Sequence, residues 1–213
     1  GHSVTQSPDS GKNYAVPSSI TTGSLSTSFS WNGYMAMTGS TAPNSASSSF
    51  SYASYARPSS TTAANGRVTT YTYHTSPNYT VATTGTRWTK TTVDGIGRAM
   101  KVESGYNTGS TPTTVAIVDT LNAPCACTPV GKLWKTSLPY APGGTVYWTE
   151  PLYDALGRTV QVKQPNSRGT TTYTYSGPTV KVTDPSSSSR WKKYENDALG
   201  NLVKVTEPRP GGG

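Results

Sequence analysis

Short apolar stretches alternate with polar residues along the chain and are interrupted every few residues by Gly, Pro, Asn or Asp. In the segments 160–162 and 173–175, Val-Gln-Val and Tyr-Thr-Tyr, every second residue is apolar or aromatic. A period of two places these side chains on one face of a β-strand, and Gly and Pro mark the turns. Leu and Met are too sparse for a helical stripe. The pattern predicts an all-β fold, in which tandem antiparallel hairpins form one curved, twisted, continuous sheet.

The chain also repeats itself. Three five-residue segments can be superimposed, and each has a Trp six residues before its Asp: Asp94–Arg98, Asp154–Arg158 and Asp197–Asn201. A degenerate copy lies at Tyr52–Arg57, where Ala53 takes the place of the Asp. A half-period of about twenty-one residues also recurs, which is the length of one hairpin with its connection. Internal repeats of this length indicate an array of similar units.

The repeated Asp and Gly residues have an evident structural use. An Asp at the head of a turn accepts hydrogen bonds from backbone N–H groups two residues later, and a Gly takes the positive φ that such turns require. We therefore interpret six residues as turn formers rather than as catalytic acids or site residues: Asp94, Gly97, Asp154, Gly157, Asp197 and Gly200.

Three linked features resemble the rearrangement-hotspot (RHS) or YD-repeat family. They are the Tyr-Asp-Ala-Leu-Gly-Arg box at 153–158, the Tyr-Thr-Tyr strand and the Val-x-Val-Thr-Asp-Pro ending at 180–185. In that family the repeats wind into a spiral sheet that closes as a hollow shell, as in toxin-complex cocoons and teneurins. The resemblance implies a fragment of four to five repeats in the wall of such a shell. So few repeats cannot enclose a cargo alone.

The repeats divide the chain into regions. Residues 1–49 are expected to be a Ser/Thr-rich, degenerate repeat region, and residues 50–210 a hairpin array with a Cys-containing insertion near 107–129. Residues 211–213 read as a linker or tail. An isolated strip of sheet leaves unpaired edges, so neighbouring repeats of a parent protein are the expected partners, or a second copy in a homodimer.

Composition and charge narrow the function classes. Ser and Thr make up 64 of 213 residues and only 32% are hydrophobic, but 14 Tyr and 5 Trp argue against disorder for most of the chain. The net charge of +8 favours a glycan or another anionic surface as a partner. Because no run of five like charges occurs, no specific nucleic-acid partner is expected. A solvated sheet face remains the alternative explanation of the charge.

The ends of the chain suggest an excerpt. Gly1-His2-Ser3 resembles a cleavage scar, and no apolar run approaches the length that spans a bilayer. Together with the family resemblance, this leads us to expect a secreted or surface-exposed bacterial protein.

Cys125 and Cys127, which are separated by one residue, are the most distinctive feature of the sequence outside the repeat. With His74 they could bind a metal ion, and with His74 and Asp119 they could form a Cys–His hydrolase site. Structural turn cysteines or an incidental redox pair are the interpretation that we favour over either site. A structural zinc site usually has four ligands, and besides the two cysteines the chain offers only His74 and His2, which lies in the scar-like N-terminal segment. We expect no cofactor, and a scaffold rather than an enzyme.

Aromatic residues that recur at the same place in each repeat could serve in ligand binding. Trp88, Trp148 and Trp191 precede the three Asp turns, with Arg87 and Arg190 beside two of them. Such residues can stack on sugars, although packing within the sheet explains the same recurrence. The leading hypothesis is a structural segment that serves encapsulation, adhesion or toxin delivery and binds carbohydrate or an anionic surface. The alternative is a small hydrolase with its Cys/His site at the insertion.

Overall fold

The computed structural model describes residues 3–125, 128–188 and 190–208, with the side chains of all of these except 55, 125 and 128–130. Besides two 3-10 turns at Ser10–Lys12 and Ser54–Ala56, the described residues form 18 strands: β1 (Val4–Pro8), β2 (Pro17–Thr22), β3 (Leu25–Trp31), β4 (Met37–Thr41), β5 (Ser47–Tyr52), β6 (Pro58–Thr62), β7 (Val68–Thr75), β8 (Asn78–Thr84), β9 (Arg87–Val93), β10 (Ala99–Thr108), β11 (Thr111–Cys125), β12 (Thr128–Ser137), β13 (Trp148–Tyr153), β14 (Thr159–Lys163), β15 (Thr170–Ser176), β16 (Thr179–Thr183), β17 (Trp191–Asn196) and β18 (Leu202–Thr206).

The chain divides into two units. The first comprises Gly1–Thr91 with Ser104–Thr113, and the second Thr92–Glu103 with Thr114–Gly213. Within the first unit, β1 to β8 pair consecutively and antiparallel. Within the second unit, β11 to β18 do the same. The predicted all-β fold of consecutive antiparallel hairpins is confirmed. The regions expected from the sequence, with their boundary at residue 50, stay a prediction.

One five-residue turn recurs throughout the chain. At Asp154 the backbone N–H donates to the carbonyl of Arg158 (3.0 Å), and Gly157 donates back to the carbonyl of Asp154 (2.9 Å). The fourth residue of the turn has a positive φ, 76° at Gly157. The same pair of bonds forms at five further turns, headed by Asn32, Ala42, Ala63, Asp94 and Asp197. The turns headed by Ala42 and Ala63 escape the sequence comparison because they lack the Asp.

An aromatic clasp closes several hairpins. The hydroxyl of Tyr175 in β15 donates to the carbonyl of Thr159, the first residue of β14, at 2.9 Å. Tyr52 and Tyr73 donate in the same way to the first carbonyls of β4 and β6, at 2.6 and 2.8 Å, and the indole of Trp31 does so to the first carbonyl of β2, at 2.7 Å. In each case the donor lies near the end of the second strand and fixes the register of the hairpin.

Burial is shallow. Among the described residues no apolar side chain is buried, and the one buried residue is Ser137 at 5% exposure. The accessible surface is 13989 Å², whereas a compact monomer of 22.5 kDa would expose about 9,500 Å². Each unit therefore presents its strands to solvent on both faces. Within the described ranges no helix is long and apolar enough to cross a membrane.

Candidate functional site

The side chain of each repeated Asp holds its turn from inside. One carboxylate oxygen of Asp154 accepts the N–H groups of Leu156 and Arg158 at 3.0 and 2.9 Å, and the other accepts Nε of Arg158 at 2.7 Å. Asp94 makes the same three bonds to Ile96 and Arg98. Asp197 does so with Leu199 and Asn201, whose side-chain amide replaces the guanidinium. Every hydrogen bond described for these carboxylates is directed into the turn.

These hydrogen bonds lower the pKa of each of the three turn carboxyls. The backbone and side chain of Arg98 lower the pKa of Asp94. Loss of water around Asp154 would raise its pKa, but the bonds from Arg158 outweigh this and the pKa is lowered. The side-chain amide of Asn201 does the most to lower the pKa of Asp197. Each carboxyl is ionised at neutral pH, as a turn-forming acceptor needs to be.

The register gives the sheet of the second unit two unlike faces. Cross-strand partners share a face, so one face carries a basic set that we name the lysine face: Lys135, Lys163, Lys181, Lys193 and Lys204, with Trp148 and Trp191. The opposite face, the valine–tyrosine face, carries Val162, Tyr173, Tyr175, Val180, Val182, Tyr194 and Val205. Neither set includes a buried side chain, so each face is available for contact.

On the lysine face, two Trp rings are covered by ammonium groups. Nζ of Lys135 lies 4.4 Å from the centre of the Trp148 ring, and Nζ of Lys181 lies 4.7 Å from that of Trp191. Lys181 stands directly opposite Lys193 on the neighbouring strand. Like charges in that position destabilise a sheet. Lys193 is compensated by Glu195 at 3.0 Å, whereas Lys181 contacts the Trp191 ring.

A shallow cavity of about 500 Å³ lies at one end of β15 to β18. Its lining brings together Arg190 and Trp191, two residues singled out from the sequence, with Asp184, Lys192 and Glu207. Lys192 and Glu207 form an ion pair at 2.7 Å, and the bond from Glu207 raises the pKa of Lys192. Hydrogen bonds from Ser186 lower the pKa of Asp184. The cavity holds charges of both signs, largely paired.

The other predicted binding residues lie apart from this cavity. Trp88 belongs to the first unit, where its indole N–H is buried and is the one side-chain N or O atom found buried without a partner in the described residues. Its ring lies against Gly105. Arg87 is exposed at the start of β9. A common ligand-binding role for the three tryptophans and two arginines stays a prediction.

The residues proposed for catalysis or metal binding have separate surroundings. His74 belongs to the first unit, and its ring stacks on that of Tyr79 at 4.1 Å. Asp119 belongs to the second, where it accepts a short hydrogen bond from the hydroxyl of Tyr140, faces Lys101 at 3.9 Å, and raises the pKa of Tyr140. Cys125 pairs with Thr128 at a hairpin end, and Cys127 lies outside the described residues. Elsewhere, the described residues hold no group of three His, Cys, Asp or Glu side chains suited to a metal.

Sequence reasoning missed the lysine face and the aromatic clasps. Both depend on register, because a side chain's face is known only once its strand partners are known. A signal for the lysine face was nonetheless present: Val-Lys-Val occurs at 180–182 and 203–205, with each Lys on the face opposite to its Val neighbours.

Tandem hairpins with a recurring Asp turn and a Tyr-Thr-Tyr strand define an all-β repeat fold, the fold that the resemblance to the RHS/YD family implies. Comparison with solved structures confirms this prediction. The chain is similar to the crystal structure of TcdB2-TccC3, with a TM-score of 0.55 at 10% identity over 96% of its length. It spans 15% of that longer chain.

Two related crystal structures are similar over most of the chain but superimpose less well. They are TcdB2-TccC3-Cdc42, with a TM-score of 0.34 at 13% identity, and TcdB2-TccC3-TEV, with 0.31 at 14%. These matches include 91% and 88% of this chain and 14% of the other chain in each case. No family model matches the sequence, and no curated protein does. The resemblance is thus one of fold.

Proposed function

We propose that the chain is a wall segment of a protein shell in a secreted or surface-exposed bacterial protein, serving encapsulation, adhesion or toxin delivery. One observation carries the proposal: no apolar side chain among the described residues is buried, although Val and Tyr recur along one sheet face of β14 to β18. An exposed apolar face of that kind marks a surface that contacts another molecule. The fold shared with TcdB2-TccC3 supports the same conclusion.

Neighbouring repeats would pair with the edges of such a wall. A polypeptide held inside the shell would contact its valine–tyrosine face. The experiment adds chemically reduced, unfolded lysozyme to the purified chain and follows light scattering. We expect equimolar chain to delay aggregation. The double variant Val180→Lys and Tyr194→Lys should abolish the delay, because both substitutions charge the same face.

The matched control is Lys181→Gln, which alters the opposite face of the same strand and should leave the delay unchanged. A delay that survives the double variant would contradict the proposal, as would no delay at all. A panel of ester, phosphoester, glycoside and peptide substrates tests the hydrolase alternative. Hydrolysis of any of these substrates that is lost in His74→Ala would contradict the shell proposal and support the hydrolase alternative.

A second role, binding to a carbohydrate or other anionic surface, is favoured by the lysine face. Lys181 and Lys193 oppose each other across two strands, and an anionic partner would relieve that repulsion. Binding of polygalacturonate, a carboxylated polysaccharide, should weaken in Lys181→Gln and with added salt. Lys12→Gln, in the first unit, is the control. Equal binding by all three proteins would contradict this role.

A further inference from the structure

The turn between β3 and β4 carries an amide where the repeated turns carry a carboxylate. Asn32 heads this turn, and its Oδ1 accepts the backbone N–H groups two and four residues later at 2.9 and 3.0 Å. One carboxylate oxygen of Asp94 accepts the N–H groups two and four residues later in the same way, at 3.0 and 2.9 Å. Asn32 therefore occupies the structural position of a turn-forming Asp.

The residue after Asn32 presents an accessible backbone nitrogen. Gly33 is exposed, and a Cβ at its position would meet no atom within 4 Å. Within the described residues, no hydrogen bond is donated by the Gly33 N–H. The bond from the N–H of Tyr34 to Oδ1 of Asn32 closes a ring that contains the Gly33 nitrogen, so it folds the carboxamide back against that nitrogen. A nucleophile and a carbonyl carbon are thus held close together.

Two other asparagines lie in turns of the same kind, but the nitrogen after each is engaged. Asn65 also precedes a glycine, yet Gly66 donates its N–H to the carbonyl of the turn head at 2.8 Å. Asn44 precedes Ser45, which makes the same bond at 2.9 Å and adds a Cβ beside the nitrogen. Both asparagines accept a backbone N–H with the side-chain oxygen, as Asn32 does. What differs among the three is the nitrogen that follows.

We propose that Asn32 is a site of spontaneous deamidation, which converts it to the Asp of the repeated turn. Hydroxide removes the proton from the Gly33 nitrogen, which attacks Cγ of Asn32 and forms a C–N bond. The side-chain amide takes a proton from water and leaves as ammonia, which regenerates the hydroxide. Water then opens the cyclic imide. Opening at Cγ gives Asp, whereas opening at the backbone carbonyl gives isoaspartate, in which the chain runs through Cγ.

The Asp product fits the turn as it stands. Its carboxylate accepts the same two N–H groups with a negative charge, and charge-assisted hydrogen bonds are stronger than neutral ones. The Asp94-Gly95 pair shows this product in an equivalent turn. Isoaspartate lengthens the backbone by a methylene group and disrupts these bonds. The reaction requires only the turn, so it goes beyond the proposed wall function and does not depend on it.

The test follows the age of the full chain in mildly alkaline buffer at physiological temperature. Samples are digested at acid pH, and peptide mass spectrometry measures the gain of one mass unit at each asparagine. We expect Asn32 to convert about two- to tenfold faster than Asn65, the factor for one hydrogen bond that has to be broken, and Asn44 to be the slowest. The rate should rise with pH. Conversion of Asn65 or Asn44 as fast as that of Asn32 would overturn the proposal.

Denaturing urea supplies the control for local sequence. Both Asn-Gly pairs should convert at the same rate there, because the turns that distinguish them are lost. A preference for Asn32 that persists in urea would show that the turn is not its cause.

Two variants test the nucleophile and the product. Gly33→Ala adds a Cβ in open space, so it should slow conversion at Asn32 and leave Asn65 unaffected. Asn32→Asp should show no mass gain at this position and should raise the midpoint of urea denaturation above that of freshly prepared protein. Unchanged conversion in Gly33→Ala would overturn the mechanism, and a lowered midpoint in Asn32→Asp would overturn the role of the product.

Discussion

The guanidinium of Arg158, in the turn before β14, lies 4.5 Å over the ring of Tyr175 in β15. The same Arg donates from Nε to Asp154 at 2.7 Å, so it joins the turn before β14 to the strand that follows β14. Arg57 and Tyr73 repeat the arrangement at 5.4 Å in the first unit. Arg158 and Arg57 thus each connect one hairpin to the next through a tyrosine ring.

This stacking predicts that Arg158→Lys is not conservative. Lysine keeps the charge but loses the planar fork that binds the carboxylate and covers the ring. We expect the free energy of unfolding to fall by roughly 0.5–1 kcal/mol, measured by urea denaturation. Arg67→Lys is the matched control, because Arg67 occupies the same place in a turn headed by Ala63. Equal losses in the two variants would contradict a special role for the Arg158 stack.

Ala56 offers a gain of stability. It is the fourth residue of the degenerate turn headed by Ala53 and has φ 56°, where an L-residue with a Cβ is strained by roughly 1–2 kcal/mol. Ala56→Gly should therefore raise the midpoint of urea denaturation. Ala53→Gly should lower it, since Ala53 has φ −84° and glycine there only adds freedom to the unfolded chain. A loss in both variants would show that the strain at Ala56 is negligible.

Gly105 is required by close packing. A Cβ at this position would lie 1.9 Å from the carbonyl oxygen of Thr113 and 2.8 Å from the Trp88 ring. Gly105→Ala should cost about 3 kcal/mol, the upper end for overpacking, and should shift the Trp fluorescence. Gly95→Ala is the control, because its Cβ would meet no atom within 4 Å. Similar stability of the two variants would contradict the packing.

The Asp turns predict an acid transition. The pKa of Asp94, Asp154 and Asp197 is lower in the folded chain than its usual value, about 3.9 when unfolded. A depressed folded-state pKa contributes stability that is complete above the unfolded value and is lost as the pH falls through the folded value. The urea midpoint should therefore decrease below about pH 4. Replacing all three Asp by Asn should flatten this dependence, and an unchanged slope would contradict it.

The strands and turns were predictable because they depend on neighbours in sequence. Two local signals agree with the structure. They are the period of two around Val160 and Val162 and the spacing from Asp154 to Gly157. The TM-score of 0.55 to TcdB2-TccC3 confirms the fold that the repeated box indicated. Turns headed by Ala42 and Ala63 were missed because they lack the Asp at the head; in them the side chain of Asn44 or Asn65 accepts a backbone N–H instead.

The candidate interaction surfaces were less predictable because they depend on pairing between strands. Lys163 and Lys181 share a face only through the intervening ladder of β15, and no spacing along the chain shows this. Likewise, the donor to the Thr159 carbonyl, Tyr175, lies 16 residues away. Bulges in the ladders, such as the one beside Tyr153, shift the faces by one residue and defeat simple counting.

The equivalence of β14 and β18, 43 residues apart, bears on how such a chain can change in length over evolution. When each hairpin is stabilised mainly by its two neighbours, stability is a sum of local terms rather than the property of one central core. Duplication or loss of a 43-residue stretch by recombination would preserve every turn, clasp and face that remains. The number of hairpins in the sheet could then vary in whole steps, without any compensating substitution elsewhere in the chain.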